Sequence, residues 1–441
     1  MNEYYYPALG VYSPAFFRTD IRTDLDLSKL AELPDREAST FLHEYIHFLQ
    51  DISTTFGLLN IFNISEIMKY FAFEIQQSSQ SNVLVPLEFK FSKSHNIFEN
   101  KQFMSVYFGS QTNFDTFVID NFGTESTTIF LPKLSAKKDV DQIIIYGQND
   151  GGSKKLKFGA FCLIESMAQL VQSLCYPNLE FSHLDCPYKV AEKVVDHIYP
   201  EFGENKLRVL ALCDASLGSW HPGELFYKVL LDMRAKNWMP EEIIDIYNYC
   251  NNFIKINNNI ANNLKTLYEQ TMSDAIKGLS DYFTVDYFDD NKKYIELIIL
   301  SAQKFRDTFP TFIVDLATGG PLNSNPVFLA LINELGIPVT INYFNKTYFY
   351  HPQQINYNFQ PYAFLAIKEV FNIFSGKYLK CGLKLECKLS CHEQGIQDYT
   401  DERCLNNPWE RHSDALLCPF AQIWRMWGLI GKIPVTESDF E

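Results

Sequence analysis

The stretch Ser39–Ser53, STFLHEYIHFLQDIS, sets two histidines four residues apart, with a glutamate directly after the first. Phe41, Leu42, Ile46, Phe48, Leu49 and Ile52 recur around them at helical spacing. On a helix, residues i and i+4 lie nearly one above the other. His43 and His47 therefore present two imidazoles from one face, about one turn apart. That arrangement suits two adjacent corners of a tetrahedral zinc site. Glu44 stands about 100° around the helix from His43. It can exchange a proton with a water at the metal without ligating the metal. The competing reading is an apolar helix that carries histidines by chance, and it leaves the cost of burying unpaired His and Glu side chains unexplained.

The motif His43-Glu44-x-x-His47 resembles that of the zincin metallopeptidases. The resemblance covers this helix and one later helix, not the whole chain. It implies His43 and His47 as zinc ligands, Glu44 as general base, and a protein or peptide as substrate. The longer metzincin pattern needs a glycine three residues after the second histidine and another histidine beyond it. Gln50 and Ser53 stand there instead, so the likeness is to the gluzincins, whose third ligand is a glutamate on a downstream helix. Two glutamates compete for that role. Glu66 follows His47 by 19 residues, a spacing familiar in gluzincins, but bulky Ile67 and Met68 follow it. Glu165 lies in LIESMAQLVQ, where Ser166 and Ala168 are small residues of the kind the gluzincin ligand helix carries. Small residues let two helices approach closely enough for three ligands to reach one ion at about 2 Å. This favours Glu165 and makes the β-rich 83–146 region an insertion between the two metal helices. Zincins also use a later His, Tyr or Arg to stabilise an oxyanion. CDASLGSWHPGELF offers His221 for that role, or Asp214 to orient a zinc-bound imidazole. The plainer reading of the pair is a helix cap and a loop histidine before Pro222.

Pro7, Pro14 and Pro34 interrupt residues 1–34, which read as extended and turn-rich. Asp35 is placed to cap a helix running to about Gly57, and SEIMKYFAFEIQQ is a second helical pattern from Ser65. From Val83 to Tyr146 the runs VLVPLEFKF, FMSVYFG, TFVIDNFG, TIFLPKL and QIIIYG favour strand, and QNDGGSKK reads as a loop. Helical patterns dominate afterwards, with one long or two shorter helices over 241–283. The expected fold is α+β and predominantly helical: a zincin-like metallopeptidase core with a β-rich insertion and a cysteine-rich C-terminal segment. The chain divides into 1–82 with the motif helix, the 83–150 insertion, the helical core continuation 151–376, and a loop-dominated tail 377–441.

Hydrophobic residues make up 46% of the 441 residues, enough to bury a sizeable core, and a net charge of -15 argues against a broad nucleic-acid surface. The start, MNEYYYPALGVYSPAFF, has neither a basic n-region nor an apolar h-region, so no signal peptide is expected. No apolar run is long enough to span a membrane. The ten cysteines then read as reduced thiols in the cytoplasm. Cys381, Cys387, Cys391, Cys404 and Cys418 crowd the tail, with His392 and His412 among them. Four thiolates can close a structural zinc site, but the spacing is not that of zinc ribbons, and buried free cysteines are the simpler reading. SHLDCPY sets His183 near Cys186 without the other parts of a thiol protease. ATGGPLNSNP lacks the P-loop lysine and reads as a turn. The expected function is zinc-dependent hydrolysis of peptide bonds in an intracellular protein, with Zn2+ held by His43, His47 and Glu165. The alternative is a non-catalytic zinc-binding regulatory or interaction protein on the same scaffold.

Overall fold

A computed structural model describes residues 9–88, 104–131, 136–253, 264–344 and 346–437. The chain is α+β with helix predominating. It opens on two short antiparallel strands, β1 (Gly10–Ser13) and β2 (Arg18–Ile21). The turn between them carries Ala15 and Phe17 at positive φ, +63° and +46°, a conformation that side chains with a Cβ rarely adopt. Asp51 braces this turn by accepting from Tyr12 Oη at 3.0 Å and from the Ala15 N–H at 3.3 Å.

Helix α1 (Asp35–Ser53) follows, and it is buried nearly all round although it carries polar residues such as His43, Glu44, Gln50 and Asp51, which therefore need partners inside the protein. Asp35 does not cap it: Pro34 holds the cap position, and Asp35 and Glu37 lie in the first turn, where acidic side chains suit the helix dipole. The helix also stops before Gly57. Ser53 and Thr54 turn their hydroxyls back onto the Leu49 and Gln50 carbonyls, and Thr54 becomes extended. The Thr54 Oγ1 then accepts from the Gly57 N–H and caps α2 (Thr55–Gln77), which begins ten residues earlier than Ser65.

The next region is a three-stranded antiparallel sheet, β3 (Val118–Leu131), β4 (Ala136–Asn149) and β5 (Gly152–Phe158). TFVIDNFG and the start of TIFLPKL are one strand rather than two, and QNDGGSKK is a hairpin turn whose second half already belongs to β5. Met104–Phe108, read as strand, is helical, because a short apolar run does not distinguish the two periods. Of VLVPLEFKF, Asn82–Leu84 is a strand, paired with Ile433–Val435, and Phe89–Phe91 lies outside the described residues. Strand β5 leads through Gly159 straight into α3 (Ala160–Cys175), the helix that carries Glu165.

Helices α4 (Lys206–Ser216), α5 (Pro222–Ala235), α6 (Ile243–Phe253), α7 (Leu264–Ser280) and α8 (Asp289–Thr308) follow. Strand β6 (Ile337–Ile341) pairs parallel to β2, and β7 (Thr347–Tyr350) completes a sheet of order β1-β2-β6-β7. All five residues of β6 are buried, as a strand covered on both faces requires. Helix α1 packs against α2, α3, α8 and the β1–β2 end of this sheet.

The tail is more ordered than a loop-dominated segment. It holds helices Lys384–Gln394 and Pro419–Met426, and Trp424 packs on Phe374 and Phe420. Buried Glu369, on the helix Pro361–Phe374, ties it to the sheet by accepting from Arg18, Tyr378 and the Gly382 N–H. Among the described residues, no helix is long and apolar enough to cross a membrane.

The α1–α2 corner generates a direct test. A Cβ on Gly57 would sit 2.1 Å from the Gln50 carbonyl oxygen and 2.5 Å from the Asp51 Cα. Gly57→Ala is expected to lower stability by about 1–3 kcal/mol, the usual cost of overpacking, read as a drop in the urea midpoint. An unchanged midpoint would show that the corner is not close-packed.

Candidate metal centre

Helices α1 and α3 lie side by side and antiparallel. Gln50, late in α1, donates from Nε2 to the Ile164 carbonyl at 2.9 Å, while Gln172, late in α3, donates to Ser39 Oγ at 3.3 Å. Between these two ties the helices bring His43, His47 and Glu165 to one point. Glu165 Oε2 is 3.5 Å from His43 Nε2 and 3.6 Å from His47 Nε2. All three ligand atoms lie within 4.8 Å of one another, and among the described residues no other such group of metal-ligating side chains forms. Donors about 2.0–2.1 Å from a tetrahedral ion stand about 3.3 Å apart. The spacing therefore fits a cation at the centre.

The charges agree with the geometry. Burial works against a charged His47, but the Glu165 carboxylate, helped by Glu44, holds its imidazolium up to about 9. Burial also opposes ionisation of Glu165, yet the two histidines hold its carboxyl well below the usual range. Here protons on imidazole supply the positive charge that a buried carboxylate needs. A divalent ion at the same point would supply that charge itself and would require the imidazoles neutral.

Glu44 stands beside the cluster. Burial raises its carboxyl pKa, and His43 and His47 oppose the rise. It lies against β1, where it accepts from the Tyr12 N–H. A Cβ on Gly10 would come within 2.6 Å of the Glu44 side chain, so only glycine lets the strand pass so close.

Ser166 and Ala168 were expected to permit the close approach of α3 to α1. Both are fully buried, but Ser166 faces away. It donates to the Pro187 carbonyl and accepts from the Ala191 N–H. Ala168, one turn beyond Glu165, shares the carboxylate's side of the helix. Glu66 points elsewhere, pairing with Lys69, which also reaches Asp281. Asp214 and His221 also lie apart from the cluster. Asp214 holds the Arg306 guanidinium through two bonds of 3.0 Å and accepts from Tyr247 at 2.8 Å. Arg306 in turn donates to Ser53 at 3.1 Å, so this pair braces the C-terminal end of α1 and orients no imidazole. His221 Nε2 bonds the Asp141 carbonyl at 2.9 Å, and its ring packs on Tyr107. The tail cysteines are free and buried, and Arg411 donates to Cys404 Sγ at 3.0 Å, a fixed positive charge that disfavours a cation there.

Sequence reasoning missed the cover over the site. The segment after α3 lays His183 parallel to His43, with ring centroids 6.2 Å apart, and Tyr188 sits 5.9 Å from His43. Burial, with help from His43 and Lys189, lowers the His183 pKa to about 4 and keeps the ring neutral. Burial first, then Glu165 and Glu44, raises the Tyr188 pKa so that it retains its proton. Cys186, between them, donates to the Thr112 carbonyl at 3.3 Å and is a structural thiol. The signal for this cover is a run of ring side chains, Phe181, His183 and Tyr188, shortly after the ligand helix. No family model, curated protein or solved structure matches the chain.

Two measurements follow from this geometry. Elemental analysis of the purified protein is expected to find about one divalent ion per chain at this site. His43→Ala/His47→Ala and Glu165→Ala should each lose it, while Glu66→Ala keeps it; retention in Glu165→Ala would remove Glu165 from the ligand set. Asp214→Ala leaves Arg306, whose side chain is 20% exposed, without its buried carboxylate partner and is expected to cost up to about 3–5 kcal/mol in urea unfolding, with no change in metal content of the folded protein.

Proposed function

We propose that the chain is a zinc-dependent metallopeptidase with a gluzincin-like core, hydrolysing peptide bonds in a protein or peptide substrate. The observation that carries this reading is the convergence of His43, His47 and Glu165, with the separate carboxylate of Glu44 beside them and outside the ligand set. Two imidazoles and one carboxylate suit zinc, and three protein ligands leave the fourth position for catalysis rather than closing a structural site. Bound there, zinc supplies Lewis acidity, polarising a carbonyl oxygen and bringing the pKa of a water to about 7.

The chain's own residues supply the rest. Glu44 takes the proton of the attacking water and passes it to the departing nitrogen. Its desolvated carboxylate, with a raised pKa, is suited to hold a proton between those two events. Tyr188, whose ring lies 5.9 Å from that of His43 and which keeps its hydroxyl proton, would be the donor to an oxyanion. His183 is less suited, because its Nε2 is already engaged with Gln172 at 3.0 Å. Strand β1 forms the edge of its sheet beside Glu44, and Leu9 and Val11 near it are half exposed. An extended polypeptide added to that edge would bring its backbone past the general base.

One observation favours the second reading, a non-catalytic zinc-binding regulatory or interaction protein. The ligand side chains are only 9%, 12% and 18% exposed beneath His183 and Tyr188.

Glu44→Gln separates the two readings. The substitution keeps side-chain volume and is expected to leave zinc in place, because Glu44 is not a ligand. It removes the proton acceptor, so peptide-library hydrolysis should fall by about 10²–10⁴-fold. A zinc-loaded variant that cleaves at the wild-type rate rejects Glu44 as the base. A zinc-loaded wild type that cleaves nothing in the library favours the regulatory reading.

A further inference from the structure

Gln50 is 3% exposed and lies one helical turn after His47, on the same face of α1. Its single amide reaches two groups. Oε1 lies 2.8 Å from His47 Nδ1, and Nε2 lies 2.9 Å from the carbonyl of Ile164, the residue directly before Glu165. A carbonyl only accepts, so Nε2 must be the donor to Ile164, and Oε1 must be the acceptor from His47. His47 Nδ1 then carries the proton. A neutral His47 is left with its Nε2 lone pair on the side where Glu165 Oε2 stands 3.6 Å away. The opposite amide orientation would set two carbonyl oxygens against each other.

We infer that Gln50 is the positioning residue of the metal centre. It fixes the tautomer and ring direction of one ligand and, through the same amide, the register of the helix that delivers another. The inference rests on the metal reading proposed above but concerns a residue that touches neither ion nor substrate. Partners of ligating imidazoles commonly contribute about 10–100-fold in metal affinity, and here one partner serves two ligands.

The test uses the full chain as wild type, Gln50→Leu and Gln50→Glu. Zinc affinity is measured by competition with a chromophoric chelator, ligand geometry by the absorption of the Co2+ form, and integrity by circular dichroism and unfolding of the metal-free proteins. Gln50→Leu is expected to keep the helical spectrum, to bind zinc about 10–100-fold more weakly, and to shift and weaken the cobalt bands. Gln50→Glu retains an acceptor for His47 Nδ1 but cannot donate to Ile164. It should recover a large part of the affinity and the wild-type cobalt bands, a rescue that a purely structural role would not produce. Zinc affinity of Gln50→Leu within about twofold of wild type overturns the inference, as does equal weakening in both variants. If Gln50→Leu does not fold, Gln50→Glu decides: a loss beyond about 100-fold overturns the inference, and a smaller loss with intact cobalt bands supports it. A wild type that binds no zinc overturns the metal reading itself. Zinc lost by His43→Ala/His47→Ala but unaffected by either Gln50 variant overturns only the role of Gln50.

Discussion

Two imidazoles and a carboxylate meet, largely shielded from water, where α1 lies against α3, and bonds from several elements hold the two helices there. Charged groups out of water are costly unless their partners are placed well. Glu165 has both histidines at 3.5–3.6 Å, and the helices that carry the three residues are tied together on either side of the site by Gln50 and Gln172. Further out, Asp51 fastens the β1–β2 turn to α1, and the Asp214–Arg306 pair reaches Ser53 at its end. These bonds converge on the motif helix from different elements and fix where it lies.

The same burial divides the carboxylates into roles. Glu165 faces two imidazoles that hold its carboxyl low, whereas burial shifts Glu44 upward, a division that suits the ligand and proton-carrier roles proposed above. Neighbouring groups are held neutral: His183 through a lowered pKa and Tyr188 through a raised one. The tail differs in this respect, since Arg411 already occupies the electrostatic position that a metal among the cysteines would need.

Much of the motif helix was legible in the sequence because its information is local. The i, i+4 spacing of His43 and His47 sets their shared face, and the apolar residues between them set its burial. That Glu165, and not Glu66, lies beside the histidines was legible only in outline. The small residues after Glu165 pointed to the helix that does pack on α1, but Ser166 serves the 187–191 segment and not the contact with α1. The errors at Thr54, at Met104–Phe108 and in the tail share one cause. Short segments carry too few residues for their period to decide between structures, so capping and packing decide instead.

By itself the sequence determined that a largely buried helix carries His43, Glu44 and His47, and that helix outweighs strand. Each of these follows from composition or from the repeat of a single element. Only the tertiary structure decided that Glu165 meets the histidines across an interval of more than a hundred residues, that β1 runs against Glu44 at a glycine, and that His183 and Tyr188 cover the site. Those contacts depend on how separate elements pack, and packing is set by the sum of many small burial and hydrogen-bonding terms that no local pattern encodes.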